Sequence, residues 1–310
     1  MTMSNSKTDF NTITDDMMTS LRLAGDNFLT FFLAGLGMAA LAILMIIAIT
    51  IPLGFAAAAI FLSMGPTFWA DFGPGMMTFA ITNPYLVVGL VALVALPVVG
   101  VLTTVVGAIY GISKEIVEDG ETKAENAFSW VKRRFLAFAG AGIIQSLIVV
   151  GPIFLLAATI SLALGGTVTG VYSVLLGVSA FVWVFISEGL LSMMLPAVVD
   201  GKNPIEALRV SVKLGVDRFD RVFGIWTAYI VLFAAMAAPA FLVAYGVGFT
   251  PGIHMAIPMA AVVVGGWSAL AGLLLVAIVL PSMILARARV YAVLTGKQLA
   301  APKALEVPIV

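Results

Sequence analysis

The chain reads as an all-α integral membrane protein: six transmembrane helices in three duplicated hairpins, each preceded by an amphipathic interfacial helix on the cytoplasmic side. Three observations predict this. Of 310 residues, 62% are hydrophobic and only 10% charged, against about 25% charged in an ordinary soluble domain. Six apolar runs, 28–50, 85–112, 135–164, 171–198, 222–248 and 257–286, contain a single ionisable acid or base, Glu188, and runs of this length are read as membrane spans. Finally, all 16 Lys and Arg fall in 1–27, 113–134, 199–221 and 287–310. The segments on the opposite side, 51–84, 165–170 and 249–256, carry none. The positive-inside rule makes the basic set cytoplasmic, which puts both termini inside and requires an even number of spans. A prokaryotic plasma membrane is the expected location.

The N-terminal stretch is expected to stay in the mature protein. Its first 27 residues hold four acids and two basic residues, with no short apolar core ahead of a cleavage site. The run 28–63 is 36 residues long, about 54 Å as one straight helix, whereas the hydrocarbon core is about 30 Å thick. Pro52 is therefore expected to end or kink the helix, with the remainder lying at the outer surface or re-entering the bilayer. Residues 64–84, with Gly65-Pro66, Gly73-Pro74-Gly75 and Asn83-Pro84, read as an irregular outer loop. Its Phe68, Trp69 and Phe72 suit a membrane interface.

The charged stretch "NPIEALRVSVKLGVDRFDR" at 203–221 is a second version of "TITDDMMTSLRLAGDNF" at 12–28. Aligned without gaps, Ser211 meets Ser20, Lys213 meets Arg22, Asp217 meets Asp26 and Phe219 meets Phe28. A shorter third version runs from Thr122 to Phe135. Thr12-x-x-Asp15, Thr122-x-x-Glu125 and Asn203-x-x-Glu206 each resemble a capping box. Apolar residues then follow at helical spacing, as in Met17, Leu21, Ala24 and Phe28, with charge on the other face. Each version leads into a hairpin that closes on an apolar pair and a glycine turn: "IVEDG" (116–120), "VVDG" (198–201), "VLTG" (293–296). The chain is thus one polytopic domain over 1–310, with repeat units about 12–120, 121–201 and 202–296 and a short tail, 297–310. On the lead-in helices Lys132, Arg133, Arg134, Arg218 and Arg221 are the candidate contacts to lipid headgroups.

The window 188–222 carries a resemblance. Pro196, Ala197, Val198, Gly201, Pro204, Glu206, Ala207, Leu208, Ser211, Leu214 and Phe219 match a pattern similar to that of a broad prokaryotic membrane family. It includes the membrane domain of some glycerophosphodiester phosphodiesterases and YciC-type inner-membrane proteins. The resemblance implies a helical membrane protein associated with the lipid envelope. It does not carry the phosphodiesterase activity, because no soluble catalytic domain fits in the chain.

Catalytic constellations are not found. The chain has no cysteine and one histidine, His254, with Asp71 as the nearest acid on its side of the membrane, a poor basis for a metal site or triad. "VDGK" and "TGK" lack the glycine and strand context of a phosphate loop. Net charge is zero, so nucleic acid is not an expected partner. Glu188 is the anomaly, since an acid inside a span usually faces a partner or cavity. It lies 13 residues before Gly201, and Gln145 lies 10 after Phe135, so an antiparallel hairpin brings them to similar depth. Ser192 and Ser146 are close enough along their helices to join them. One reading of this group is a proton-coupling or polar-substrate site; the other is a hydrogen-bonded clasp between helices. The expected function is a non-enzymatic scaffold or accessory subunit packing against lipid or a larger membrane complex. The alternative is a transporter or lipid-handling protein using Glu188 and Gln145. Expected partners are membrane lipids and other integral membrane subunits or further copies of this chain. No cofactor is expected beyond bound phospholipid.

Overall fold

The computed structural model describes residues 10–63, 72–165, 169–249 and 257–300. Among them every regular element is helical. In chain order these are α1 (Phe10–Asp26), α2 (Phe28–Ser63), α3 (Phe72–Thr82), α4 (Pro84–Asp119), α5 (Asn126–Val149), α6 (Gly151–Leu164), α7 (Val171–Leu191), α8 (Met194–Val199), α9 (Pro204–Asp217), α10 (Phe219–Phe249), α11 (Ile257–Leu274) and α12 (Leu280–Leu294). A π-helical turn, Leu275–Val279, joins the last two. Among the described residues six segments are long and apolar enough to cross a membrane: Phe28–Pro52, Pro84–Asp119, Asn126–Leu164, Val171–Val199, Phe219–Leu242 and Val264–Leu294.

Prolines fall both inside these helices and at their starts. In α2 the helix continues through Pro52 to Ser63, so the expected stop is absent. A single proline removes one backbone donor, and the alanine-rich sequence beyond it sustains the helix. The expected irregular loop over 64–84 likewise gives way to α3 from Phe72, with Pro74 in its first turn, where a missing N–H costs nothing. Residues 64–71 and His254 lie outside the described residues. Pro152 sits at the start of α6 and separates it from α5 at Val150. Pro281 follows the π turn, whose wider winding accommodates the ring.

Of the three expected capping boxes one forms. Asn203 Oδ1 accepts from the Glu206 N–H at 2.9 Å, and Glu206 Oε2 accepts from the Asn203 N–H at 3.4 Å. Thr12 is already inside α1, which starts at Phe10. Thr122 donates instead to the Glu115 carboxylate, which also accepts from Asn126 Nδ2 at 2.7 Å, so α5 starts at Asn126 and not at Thr122. The middle lead-in segment therefore runs straight into its span, whereas α1 and α9 are separate helices ending at Asp26 and Asp217.

The glycine turns share a backbone solution. Gly120, Gly201 and Gly296 all have left-handed φ, 84°, 99° and 74°, which glycine adopts without a Cβ clash. At Gly201 and Gly296 the bonds form the same Schellman pattern: Gly201 N–H to Val198 O and Lys202 N–H to Ala197 O, then Gly296 N–H to Val293 O and Lys297 N–H to Ala292 O. At Gly120 the single bond to Ile116 O is the simpler αL form.

The helices pack as two compact units. One comprises 1–35, 109–127 and 213–310; the other comprises 36–108 and 128–212. In the first unit α12 is central, contacting α1 and α10, and nearly its whole length from Pro281 to Ala292 is buried. Gly224 on α10 is in close register with Ile13 of α1, where a Cβ would overlap the Ile13 side chain. In the second unit a Cβ at Gly142 would overlap Thr103, and one at Gly107 would overlap the Phe138 ring. These small residues let helix backbones approach closely, as van der Waals packing in lipid requires. Large apolar side chains face outward along the spans, among them Leu136, Leu93 and Val231.

Candidate functional site

In the second unit Gln145 on α5 and Glu188 on α7 meet. Gln145 Nε2 donates to Glu188 Oε2 at 2.9 Å, and both side chains are half-buried. Ser192 is buried, but its hydroxyl donates to Gly189 O at 2.8 Å on its own helix. Ser146 is half-buried, and its backbone carbonyl accepts from the Val150 N–H. The contact within the predicted polar group is thus the Gln145–Glu188 pair. On its own a carboxyl held by one neutral amide has no basic partner and no relay.

Two further contacts tie α7 into this unit. Trp183 Nε1 donates to Ile148 O at 3.1 Å, the carbonyl that Pro152, four residues on, cannot engage. Beside it is an open apolar cleft of about 220 Å³ lined by Pro152, Ile153, Leu156, Leu176, Ser179, Ala180 and Trp183. At the other end of α7 the helix breaks before α8, and Ser211 of α9 enters the break. Ser211 Oγ accepts from the Met193 N–H at 3.1 Å and donates to Leu190 O at 2.7 Å. The hydroxyl thus satisfies a donor and an acceptor that the interrupted ladder leaves over.

The predicted headgroup contacts divide. Lys132 and Arg133 are exposed, with Arg133 stacked 5.1 Å from the Trp130 ring centre. Arg134 is half-buried and donates to Gly201 O at 3.3 Å, so it braces the glycine turn. Arg218 is half-buried in the turn between α9 and α10. Arg221 is drawn inward: its Nη2 and Nε donate to Asp16 Oδ2 at 2.7 and 3.0 Å.

That pair opens onto a cluster in the first unit that sequence reasoning missed. Asp16 on α1 has a side chain only 4% exposed, and its Oδ1 lies 3.4 Å from Arg289 Nε. Ser20, one turn on, donates to Asp16 O at 2.6 Å. Arg287, two residues before Arg289 on α12, is also buried. It donates from Nη1 to the Tyr110 hydroxyl at 3.2 Å and lies 5.0 Å from the Trp226 ring centre. Deeper in the same span Tyr229 OH donates to Ser282 Oγ at 3.2 Å. A signal for the cluster existed: Asp16, Ser20 and Ala24 form a small-residue stripe at helical spacing, the pattern of a buried face.

The Tyr229–Ser282 pair has the same register as Gln145–Glu188. Tyr229 lies ten residues after Phe219 as Gln145 does after Phe135; Ser282 lies fourteen before Gly296 and Glu188 thirteen before Gly201. In the first hairpin the residue ten past Phe28 is Met38, buried and apolar. Among the described residues no three His, Asp or Glu side chains converge as a metal site.

No protein-family model matches the chain, and no curated protein or solved structure matches it. Fold and composition define its class: an all-α, multi-pass membrane protein.

Proposed function

We propose that this protein is a non-enzymatic membrane scaffold or accessory subunit. It lies in a prokaryotic plasma membrane with both termini cytoplasmic, and packs against lipid and a larger membrane assembly. One observation carries the reading: two pairs of polar side chains at span depth bond helix to helix. Gln145 clasps Glu188, and Tyr229 clasps Ser282 at the matching level. Such bonds contribute about 0.6 kcal/mol each and up to about 1.7 within a membrane, a role in holding helices together. The one-sided distribution of Lys and Arg supports the orientation. The matched Schellman turns and matched clasps support descent from a duplicated hairpin. The likeness of 188–222 to envelope-associated membrane proteins agrees with the same reading. The test is purification of the tagged full chain in mild detergent, followed by identification of stoichiometric membrane partners or self-assembly. Solute flux or lipid cleavage by the protein reconstituted alone overturns it.

The apolar cleft beside Trp183 supports a second reading, a transporter or lipid-handling protein. It lies little more than one turn from Glu188 on α7. On this reading Glu188→Gln abolishes movement of a labelled lipid or solute in vesicles. Unchanged movement in that variant rejects it.

A further inference from the structure

Among the described residues, Arg287 is a buried cation whose donors are not all met. It lies on α12, in the last third of the apolar segment Val264–Leu294, nine residues before Gly296, about 14 Å along the helix. The residue is only 8% exposed. A guanidinium stays protonated at any relevant pH, so it cannot escape burial by losing its charge. Its partners among the described residues are both neutral: the Tyr110 hydroxyl at 3.2 Å and the Trp226 ring face. Its Nε is buried with no acceptor.

Acids of the same unit bond elsewhere. Asp16 takes both Arg221 bonds on Oδ2 and faces Arg289 with Oδ1. Glu118 holds Lys297 at 3.0 Å and Lys114 at 3.8 Å. Glu115 accepts from Thr122 and Asn126. Asp16 thus serves Arg221 and Arg289, and among the described residues no acid lies within ion-pair distance of Arg287.

We propose that Arg287, Tyr110 and Trp226 form a receptor for one phosphate-type oxyanion, supplied by a phospholipid headgroup or by inorganic phosphate. A guanidinium presents donors in a rigid fork that matches tetrahedral oxyanions. The Tyr110 hydroxyl accepts from Arg287 and keeps its own proton to donate to the same anion. The Trp226 ring, 5.0 Å from the guanidinium carbon, helps to hold the cation in place. Basic pockets between transmembrane helices bind lipid headgroups by this chemistry. The site belongs to the first unit and stands whichever reading of the Glu188 region holds.

The test uses the delipidated full chain in neutral detergent. Thermal unfolding is followed while three probes are titrated separately: inorganic phosphate, short-chain phosphatidylglycerol in mixed micelles, and the matching diacylglycerol. A saturable upward shift in Tm with phosphate or phosphatidylglycerol, and none with diacylglycerol, is expected. A response to both phosphate-bearing probes identifies a small-anion site, and a response to the lipid alone identifies a headgroup site. Tyr110→Phe, which conserves packing, should weaken the response 3- to 10-fold, and Arg287→Leu should abolish it. Absence of any saturable shift in the unaltered protein overturns the proposal. So does a response that Tyr110→Phe leaves unchanged, even where Arg287→Leu fails to fold.

Discussion

Replacing Asp16 with alanine is the sharpest test of how the first unit is held together. The substitution removes the acceptor of two Arg221 bonds, at 2.7 and 3.0 Å, and the anion 3.4 Å from Arg289. Breaking a buried ion pair from one side costs about 3–5 kcal/mol, because the remaining charge stays buried and unpaired. The arginines retain some water access, with side chains 16% and 27% exposed, so the lower end applies. A loss of about 3 kcal/mol is a fall of about 150-fold in the folding equilibrium. Asp16→Asn keeps one acceptor and should lose about half as much free energy. Arg221→Ala should cost less than Asp16→Ala, since the aspartate keeps Arg289. The double variant should fall short of the sum of the singles by about 1–3 kcal/mol. Equilibrium unfolding in mixed detergent–dodecyl sulfate micelles measures these values, and amide exchange over α1 localises them. Asp16→Ala within 0.5 kcal/mol of the parent, or strict additivity in the cycle, refutes the account.

Ser211→Ala leaves the Met193 N–H and Leu190 O without their partner, so a loss of about 2–4 kcal/mol is expected in the same unfolding assay; Ser211→Thr should recover most of it if the hydroxyl is what matters. Glu188→Gln preserves a hydrogen-bonding partner for Gln145 and should stay within about 1 kcal/mol of the parent, whereas Glu188→Leu should lose about 0.6–1.7 kcal/mol; a larger loss for Gln than for Leu contradicts the clasp. Gly142→Ala places a methyl group into Thr103 and should destabilise by about 1–3 kcal/mol, while Gly151→Ala, where a Cβ meets nothing within 4 Å, should be close to neutral.

The spans, the glycine turns and the meeting of Gln145 with Glu188 were legible because each rests on local counting along a helix. Hydrophobic length marks a span, a glycine after an apolar pair marks a left-handed cap, and equal distance from a turn sets equal depth. The Asn203–Glu206 box was legible for the same reason. Where sequence reasoning failed, a competing neighbour won. Glu115, seven residues upstream, captured Thr122 ahead of Glu125. Pro52 was expected to end or kink its helix and 64–84 to form an irregular loop, yet helix continues through Pro52 and starts again at Phe72. The Asp16, Ser20 and Ala24 stripe marks a buried face, but its partner Arg221 lies 205 residues away, which no local period encodes. The Tyr229–Ser282 clasp was hidden because its register matches Gln145–Glu188 while its chemistry differs.

The partners of Asp16 have a bearing on how the protein is made. Arg221 lies 205 residues downstream. At about 5–20 residues per second of synthesis, the carboxylate waits about 10–40 s before the first of its two arginines exists. Until then α1 has neither α10 nor α12 to cover it. The stretch 36–108 with 128–212 leaves the ribosome before α10 and can complete its own packing in that interval. The opening helix thus waits for its cover until the second half of the chain is made, and a chain cut short before α10 leaves it uncovered.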